Sequence, residues 1–420
     1  MSTSAAPAPY GGAYSGLKVL DLSQVIAGPF CTRLLADLGA DVIRVESRAG
    51  DIMRRLPIAY GSDGSSAFAQ YNCGKRSVCL DLKTTGGLET AKRLVAWADL
   101  LVENFRPGAL DRLGLGWQVL QELNPSLVLC SIGLFGSTGP YAHLSGHGMV
   151  AEAYSGLMSL TGNDGGPYTH FGTPLGDLNA GVHAVAAIGA ALYQRQRTRR
   201  GSHVDISSFD SLFAMIDQAV GQAVLTEGKR DYGRYGSKHP QTVPSGVLQA
   251  ANGEAVTFSA VGDADWAKLA AALGQPELGA DARFADIESR ISNRSELYRI
   301  IDDWAATFPD AAELVAALVA AGLAGARIRT VAENIRDPHL IERGTLAPVD
   351  LGGEIGAVLV QSAPYVISDA RIGPQGPPPH IGEHTEQVLR DVLDLPQDEI
   401  AALLRSGSAY CPDDDERHDQ

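Results

Sequence analysis

Large rings are in short supply: aromatic residues make up 6% of the 420 positions, while glycine alone occupies 47. Helices in such a chain pack closely through small side chains. Positive charge is also short. Lys and Arg number 34 against 49 Asp and Glu, a formal net charge of −15. That balance argues against nucleic acid and against an anionic membrane surface as partners. It also means that any anionic ligand needs a local basic pocket within an acidic molecule. The five cysteines (Cys31, Cys73, Cys79, Cys130, Cys411) are odd in number and contain no CxxC pair. Neither a disulfide framework nor a zinc site is suggested, and a reducing, cytoplasmic setting is expected. No apolar run in the sequence approaches the ~20 residues of a membrane span. HExxH, GxSxG, a P-loop and GxGxxG are all missing, so metalloprotease, serine hydrolase, nucleotide-hydrolase and nicotinamide readings have no anchor. No metal site is expected.

What is present is alternation. Residues 18–22 read as a buried strand, 28–38 as a helix opened by Gly28-Pro29 and stopped by Gly39, and 41–46 as a second strand. Strand, turn, helix and strand within ~30 residues form a βαβ unit, which implies a parallel sheet. A helix over 85–98 and strands over 100–103 and 127–132 continue the pattern. A long Ala-rich helix then runs from 178 to about 197, followed by a strand over 204–207 and a second helix to about 225. Beyond a polar, Gly-rich stretch the text changes to short strands over 246–249 and 255–259 and then Ala-rich helices. The expected fold class is α/β: a large Rossmann-like domain with a parallel sheet formed by both chain ends, plus a smaller α+β domain. The expected division is a disordered tail over 1–16, the large domain over 17–225, the small domain with its linkers over 226–341, a return to the large domain over 342–410, and an acidic disordered tail over 411–420. Residues 374–379, PQGPPP, read as extended.

Asp177 is the first candidate for chemistry. It stands in FGTPLGDLNAG, 171–181, at the start of the long helix. An Asp there has a plain use as a cap on first-turn N–H groups. Gly172, Gly176 and Gly181 also allow a substrate or another backbone to come close. A carboxylate so exposed can attack a thioester carbonyl and form a mixed anhydride. His147, in SGHG, precedes Asp177 by thirty positions. It reads either as a structural histidine or as a general base or carbonyl-polarising group. Cations beside turns come third: Lys75 and Arg76 in NCGKR, Arg106 in NFRPG just past a strand end, and Arg44 and Arg48 around the end of the second strand. Ends of strands are where open α/β sheets take ligands. Arg forks suit phosphate oxygens, and the turn Ala27-Gly28-Pro29 can present helix N–H groups to an anion. Each cation has an ordinary alternative as solvated surface charge.

Several long segments in a fixed order make the chain resemble a known family. They are LKVLDLSQVIAGPFCTRLLADLGADVIRVE (17–46), NCGKRSVCLDLK (72–83), VENFRPGALDRLGL (102–115), YSGLMSLTG (154–162), GDLNAGVHAVAAIGAALYQRQRTRRGSHVDIS (176–207), RTVAENIRDPHL (329–340) and PPPHIGEHT (377–385). The resemblance is to the class III CoA-transferases, a family that also contains the α-methylacyl-CoA racemases. It implies two subunits interlocked as a homodimer and an acyl-CoA substrate, with coenzyme A as substrate and no tightly bound cofactor. Asp177 matches the family's catalytic aspartate. Ile26, Ala27, Arg48, Lys75, Arg76, Asn104 and Arg106 fall where the family lines its CoA site.

Departures from the family pattern carry information. His147 falls where the racemases have a catalytic histidine, and many transferases have an aromatic residue. The racemases follow that histidine with Asp, whereas this chain has Gly148. They also carry a glutamate after the small domain's central strand, where this chain reads SAVGDADW, 259–266, a pattern more usual in transferases. The glycine run of formyl-CoA transferases is missing from 233–240, and their first-turn glutamine is Ile26, which argues against oxalate as acceptor. The leading expectation is CoA transfer from an acyl-CoA to a carboxylic acid through Asp177. The alternatives are an acyl-CoA racemase using His147 and Asp177, and a non-catalytic CoA-binding protein.

Overall fold

The structure, a computed structural model, describes residues 11–60, 63–230, 232–352 and 355–412. It divides into two compact units. One takes the described residues up to Ser155, then Thr173–Met215, then those from Ile335 onward; the other takes Gly156–Gly172 and Ile216–Asn334.

The first unit is built on a seven-stranded, largely parallel sheet. In chain order its strands are β1 (Lys18–Asp21), β2 (Asp41–Glu46), β3 (Arg76–Leu80), β4 (Leu100–Glu103), β5 (Val128–Gly133), β6 (His203–Ser207) and β7 (Ala409–Tyr410). Their order across the sheet is β7-β3-β2-β1-β4-β5-β6, and only β7 runs antiparallel to its neighbour. Both faces of the inner strands are buried, so these read as near-continuous apolar runs, while the edge strand β6 alternates; the two-residue period sorts the side chains. Leu20, Ile43, Leu101 and Leu129 join one core with Leu94 and Val95 of helix α2 (Thr85–Trp97) and with Val388 and Leu389. Val19, Val42, Val102 and Val128 join the opposite core with Cys31 and Leu35 of α1 (Ala27–Asp37) and Ala180, Ala184 and Ile188 of the long helix Leu175–Thr198.

That long helix corrects the sequence reading in two ways. It begins at Leu175, three residues earlier than expected, so Asp177 lies inside its first turn. It is also long and apolar enough, by length and composition, to cross a membrane. Its apolar character has a local use, since its buried row of Ala and Ile covers the sheet. Gly181 lets it approach α1: a Cβ there would stand 2.9 Å from the Ala27 carbonyl oxygen.

Further differences have local causes. The single helix expected to end near 225 is two helices, Ser208–Phe213 and Asp217–Leu225, and the break falls where the chain leaves one unit for the other. Residues 11–16, expected to be a disordered tail, are tied down: Tyr14 N–H donates to Leu38 O at 2.8 Å and Gly11 O accepts from Arg371 N–H at 2.9 Å. Of the two tails, residues 1–10 and 413–420 lie outside the described residues.

The second unit carries a three-stranded antiparallel sheet, Ala324–Arg327, Ala255–Ser259 and Ser245–Gln249, in that order across the sheet. Trp266, Leu269, Leu297, Ile301 and Leu314 from three helices form its core with Phe258.

Candidate active site

The C-terminal ends of β1, β4 and β5 open onto a cavity of about 690 Å³, within the size range of small-molecule sites. Ile26, Ala27, Asn104, Arg106, His147 and Asp177 all line it. Six positions between 26 and 177 thus meet at one site, because the parallel sheet delivers every strand end to the same edge.

Asp177 is placed by two helices. The long helix, α5 in chain order after α3 (Trp117–Leu123) and α4 (Gly148–Tyr154), is preceded by Pro174, which offers no side-chain cap. The Asp177 carboxylate does not cap its own helix. Its Oδ2 accepts instead from the N–H of Gly148, the first residue of α4, at 3.3 Å. An acid in the first turn of α5 and against the first N–H of α4 sits where helix dipoles favour negative charge. Burial acts the other way and raises its pKa above the ordinary 3.8; the Gly148 N–H and the nearby His147 oppose that rise, and the Glu152 charge adds to it.

Two glycines make the arrangement possible. A Cβ on Gly148 would lie 2.6 Å from Asp177 Oδ2, and a Cβ on Gly176 would lie 2.6 Å from the Gly148 carbonyl oxygen. The helix ends therefore meet closely, and the Asp177 carboxylate fits against Gly148. His147, immediately before α4, is exposed on the cavity side of this junction. An aspartate at position 148, as the racemases have, has no room beside Asp177 as it stands here.

The cations divide sharply. Arg106 is exposed and lines the cavity. Lys75 corrects the expectation that it faces a ligand. Its ammonium is buried and its three donors go to Asp21 Oδ2 at 3.0 Å, Asn72 Oδ1 at 2.9 Å and Pro29 O at 3.0 Å, leaving none for an incoming phosphate. Burial, against the pull of Asp21, lowers its pKa to about 8. Arg44 is equally buried, bonded to Asp51 at 2.6 Å and paired with Asp21 and Glu46 at 3.5 and 3.6 Å. Arg76 is taken up by a two-pronged pair with Asp41 at 2.7 and 2.8 Å. Arg48 is exposed, with its guanidinium 4.4 Å from the centre of the Tyr410 ring. Neither Arg48, Lys75 nor Arg76 is among the cavity-lining residues. Asn104 lines the cavity, yet both ends of its amide are engaged with the backbone of Gln24.

Some contributors were missed in the sequence. Tyr71 is half-buried, edge-on to Phe30 with centroids 6.2 Å apart; burial raises its pKa, and the charge of Asp177 raises it further. Its signal was its place directly before the NCGKR segment. A polar row also crosses the sheet under the far end of the cavity. His203 Nε2 lies 2.9 Å from Ser131 Oγ, with Trp117 5.7 Å from the His203 ring, and burial lowers the pKa of this histidine. Asp205 accepts from Ser137 N–H at 2.8 Å and Oγ at 2.6 Å, fixing the turn above. Alternation of polar and apolar residues in HVDIS was the available clue. Among the described residues, no group of three or more His, Cys, Asp or Glu is arranged to hold a metal ion.

Comparisons with known proteins agree in kind. The chain is 35% identical over 388 residues to a succinyl-CoA–D-citramalate CoA-transferase of Chloroflexus aurantiacus, covering 92% of this chain and 96% of that one. It is 37% identical over 388 residues to a succinyl-CoA:mesaconate CoA-transferase of Haloarcula hispanica, at 90% and 96% coverage. A solved structure of a CAIB/BAIF family protein from Brucella suis superposes with a TM-score of 0.80 at 34% identity, covering 91% of this chain and all of that one. The model of CoA-transferase family III matches residues 14–385. On that match and those relatives, the chain belongs to CoA-transferase family III and is a CoA-transferase.

Proposed function

We propose that the protein moves coenzyme A from an acyl-CoA donor to a carboxylic acid, with Asp177 as the nucleophile. The observation that carries the reading is a partly buried carboxylate, raised in pKa and held by one backbone N–H, at the wall of a cavity large enough for the reacting end of an acyl-CoA. Desolvation leaves such an oxygen more reactive than one in water, and the glycine junction leaves its approach unobstructed.

The steps balance without any further reagent. An Asp177 oxygen attacks the thioester carbonyl, the C–S bond breaks, and CoA thiolate leaves behind a mixed anhydride. The thiolate attacks the aspartyl carbonyl of that anhydride and releases the donor acid, which gives an aspartyl-CoA thioester. The acceptor carboxylate attacks this thioester and expels the thiolate again. The thiolate then attacks the acceptor's acyl carbon, and Asp177 is regenerated. Each anhydride must be kept from water, which a cavity on one face of the molecule favours. The Gly148 N–H, within hydrogen-bond reach of the carboxylate, suits the oxyanion of either tetrahedral intermediate at Asp177. Arg106 is the exposed cation best placed for a CoA phosphate. The named relatives use succinyl-CoA as donor, which makes it the first donor to try.

The racemase alternative needs a second group on the opposite face of the substrate's α-carbon. His147 and Asp177 here flank one junction through Gly148, and the racemase aspartate has no space at 148. That arrangement favours transfer. The test is to incubate the enzyme with succinyl-CoA alone and examine the peptide containing Asp177 by mass spectrometry. A CoA adduct on Asp177 is expected, and it vanishes in Asp177→Ala. An unmodified peptide together with a fully active Asp177→Ala would sink the reading, and α-hydrogen exchange in deuterated water without an acceptor acid would install the racemase instead. As the family resemblance implies, we also propose a cytoplasmic homodimer, checked by sedimentation against the 44.2 kDa of one chain.

A further inference from the structure

The turn joining β1 to α1 is held from outside itself. Its three successive N–H groups each donate to a side-chain oxygen: Ser23 to Asp21 Oδ1 at 2.9 Å, Gln24 to Asn104 Oδ1 at 2.7 Å, and Val25 to Asp51 Oδ2 at 2.9 Å. Asn104 makes the contact twice, because its Nδ2 also donates to Gln24 O at 2.7 Å. One amide side chain thus satisfies both the donor and the acceptor of a single residue in a different βα turn.

The turn needs such a hold. Val25 has φ of 67°, a left-handed conformation that a β-branched residue rarely adopts. Left alone, Val25 would relax toward negative φ and swing the next residues. Those residues are Ile26 and Ala27, which line the cavity with Asp177. Ala27 also bears on the nucleophile's own helix, since its carbonyl lies against Gly181, one turn beyond Asp177. The strain, the clamp and the cavity wall are consecutive in the chain.

We infer that Asn104 is a positioning residue: its amide locks Gln24, holds Val25 left-handed, and so sets the Ile26–Ala27 wall against which an acyl-CoA docks beside Asp177. The last clause rests on the function proposed above. The clamp itself rests on the geometry of Asn104 and Gln24.

A substitution that changes only the clamp's donor separates the roles. In Asn104→Asp an ionised carboxylate still accepts from Gln24 N–H but repels Gln24 O. A protonated one is shaped like the amide and donates its O–H to Gln24 O. Neighbouring charges on Glu103, Arg106, Asp51, Asp21 and Arg44 act on the new carboxylate in Asn104→Asp alone, so the uncharged Asn104→Ala is measured beside it at each pH. Two readouts are needed: affinity for free coenzyme A by calorimetry, and amide hydrogen exchange of the peptide spanning 20–28.

At pH 8, Asn104→Asp is expected to bind coenzyme A about ten-fold more weakly than wild type, the loss of one good hydrogen bond's worth of ordering. At pH 4, close to the ordinary aspartate value of about 3.9, about half of the new carboxylates carry a proton and the deficit narrows. Asn104→Ala is expected to show a similar deficit at both pH values, which rules out simple repulsion between a new charge and the CoA phosphates. Both variants exchange the Gln24 and Val25 amides faster than wild type at matched pH, with melting temperatures near that of wild type. Unchanged exchange in Asn104→Ala overturns the clamp whatever coenzyme A does. Faster exchange with wild-type affinity for coenzyme A in both variants overturns the link from clamp to cavity. A wild-type enzyme that does not bind coenzyme A, while the variants still exchange faster, leaves the clamp standing and removes the functional reading beneath it.

Discussion

Asp21 and Asp177 both stand at the edge of the sheet where ligands enter, and the protein treats them oppositely. Asp21 closes β1 and is fully buried. Lys75, Arg44, Ser23 and Thr32 all point at its oxygens, and these partners outweigh burial and pull its pKa down to about 2. Asp177 is less buried yet, among the described residues, accepts from a single backbone N–H, and burial wins. A carboxylate surrounded by cations is inert, because its charge is already spent. One held by a single neutral donor keeps a reactive lone pair. The comparison teaches that reactivity follows from partners withheld rather than from burial itself.

Removing each carboxylate's function tests the contrast most severely. Asp177→Asn is expected to lower the transfer rate by at least about 10³-fold, as loss of a nucleophile does. It is also expected to be at least as stable as wild type at pH 8. The sign follows from the raised folded pKa: ionising Asp177 is harder folded than unfolded, so its penalty grows as pH rises past the ordinary carboxylate value and is relieved by a neutral amide. Thermal melts at pH 8 and near pH 3.5, below the ordinary carboxylate value, check this, and the gap should close at the acid end. A strongly destabilised, still active variant would reverse the assignment of the two sites.

Lys75→Met should do the opposite. It leaves the buried charge of Asp21 short of a partner, a loss of about 3–5 kcal/mol in urea unfolding, while any folded fraction retains transfer activity per molecule. Asp21 itself, with its lowered pKa, contributes stability that is present above pH 4 and is lost as pH falls toward 2.

Gly148→Ala sharpens the comparison at the junction. The added methyl would lie 2.6 Å from Asp177 Oδ2, so the carboxylate must turn away. A fall in kcat of about 10–100-fold is expected, corresponding to about 1.4–2.7 kcal/mol in the barrier. Some loss of melting temperature should accompany it, because the methyl would also stand 2.9 Å from the Asp177 backbone N. A loss of stability with wild-type kcat per folded molecule would mean that position 148 serves packing alone.

The pH dependence is a milder effect. Formation of the Asp177 adduct from succinyl-CoA should rise with pH through a midpoint above 3.8, since only the carboxylate attacks. A rapid-quench series across the acid range measures it; a midpoint at or below the ordinary value would remove the influence of burial. The smallest effect belongs to Arg76→Ala, whose exposed pair with Asp41 contributes about 0–1 kcal/mol and whose loss should leave coenzyme A affinity unchanged. Arg106→Gln in the same assay should weaken it, which separates the cavity's cation from the surface one.

Much of this architecture was legible in the residues. The β1, β2 and β4 segments and helix α2 fall within a residue of their expected ends, because their apolar periods and their Gly or Thr boundaries are local signals. Asp177, His147, Ile26, Ala27 and Arg106 were all named from motifs, and they share one cavity. The misreadings have one origin. Lys75 and Arg44 look in sequence like cations beside turns, just as Arg106 does. Which of them faces solvent depends on whether Asp21, Asp51 and Glu46 lie within reach, and those carboxylates are up to 54 positions away. Nothing local in the sequence reveals that the amide of Asn104, which lines the cavity, also meets Gln24.

By itself, the sequence determined the order of strands and helices, the family, and the identity of the carboxylate at the start of the long helix, since periodicity, turn chemistry and ordered motifs are properties of neighbours along the chain. Only the tertiary structure decided which charges were neutralised and which were left to act. The sheet brings distant residues within 3 Å of one another, and at that range a partner's position, not its spacing in sequence, sets whether a charge is spent or available.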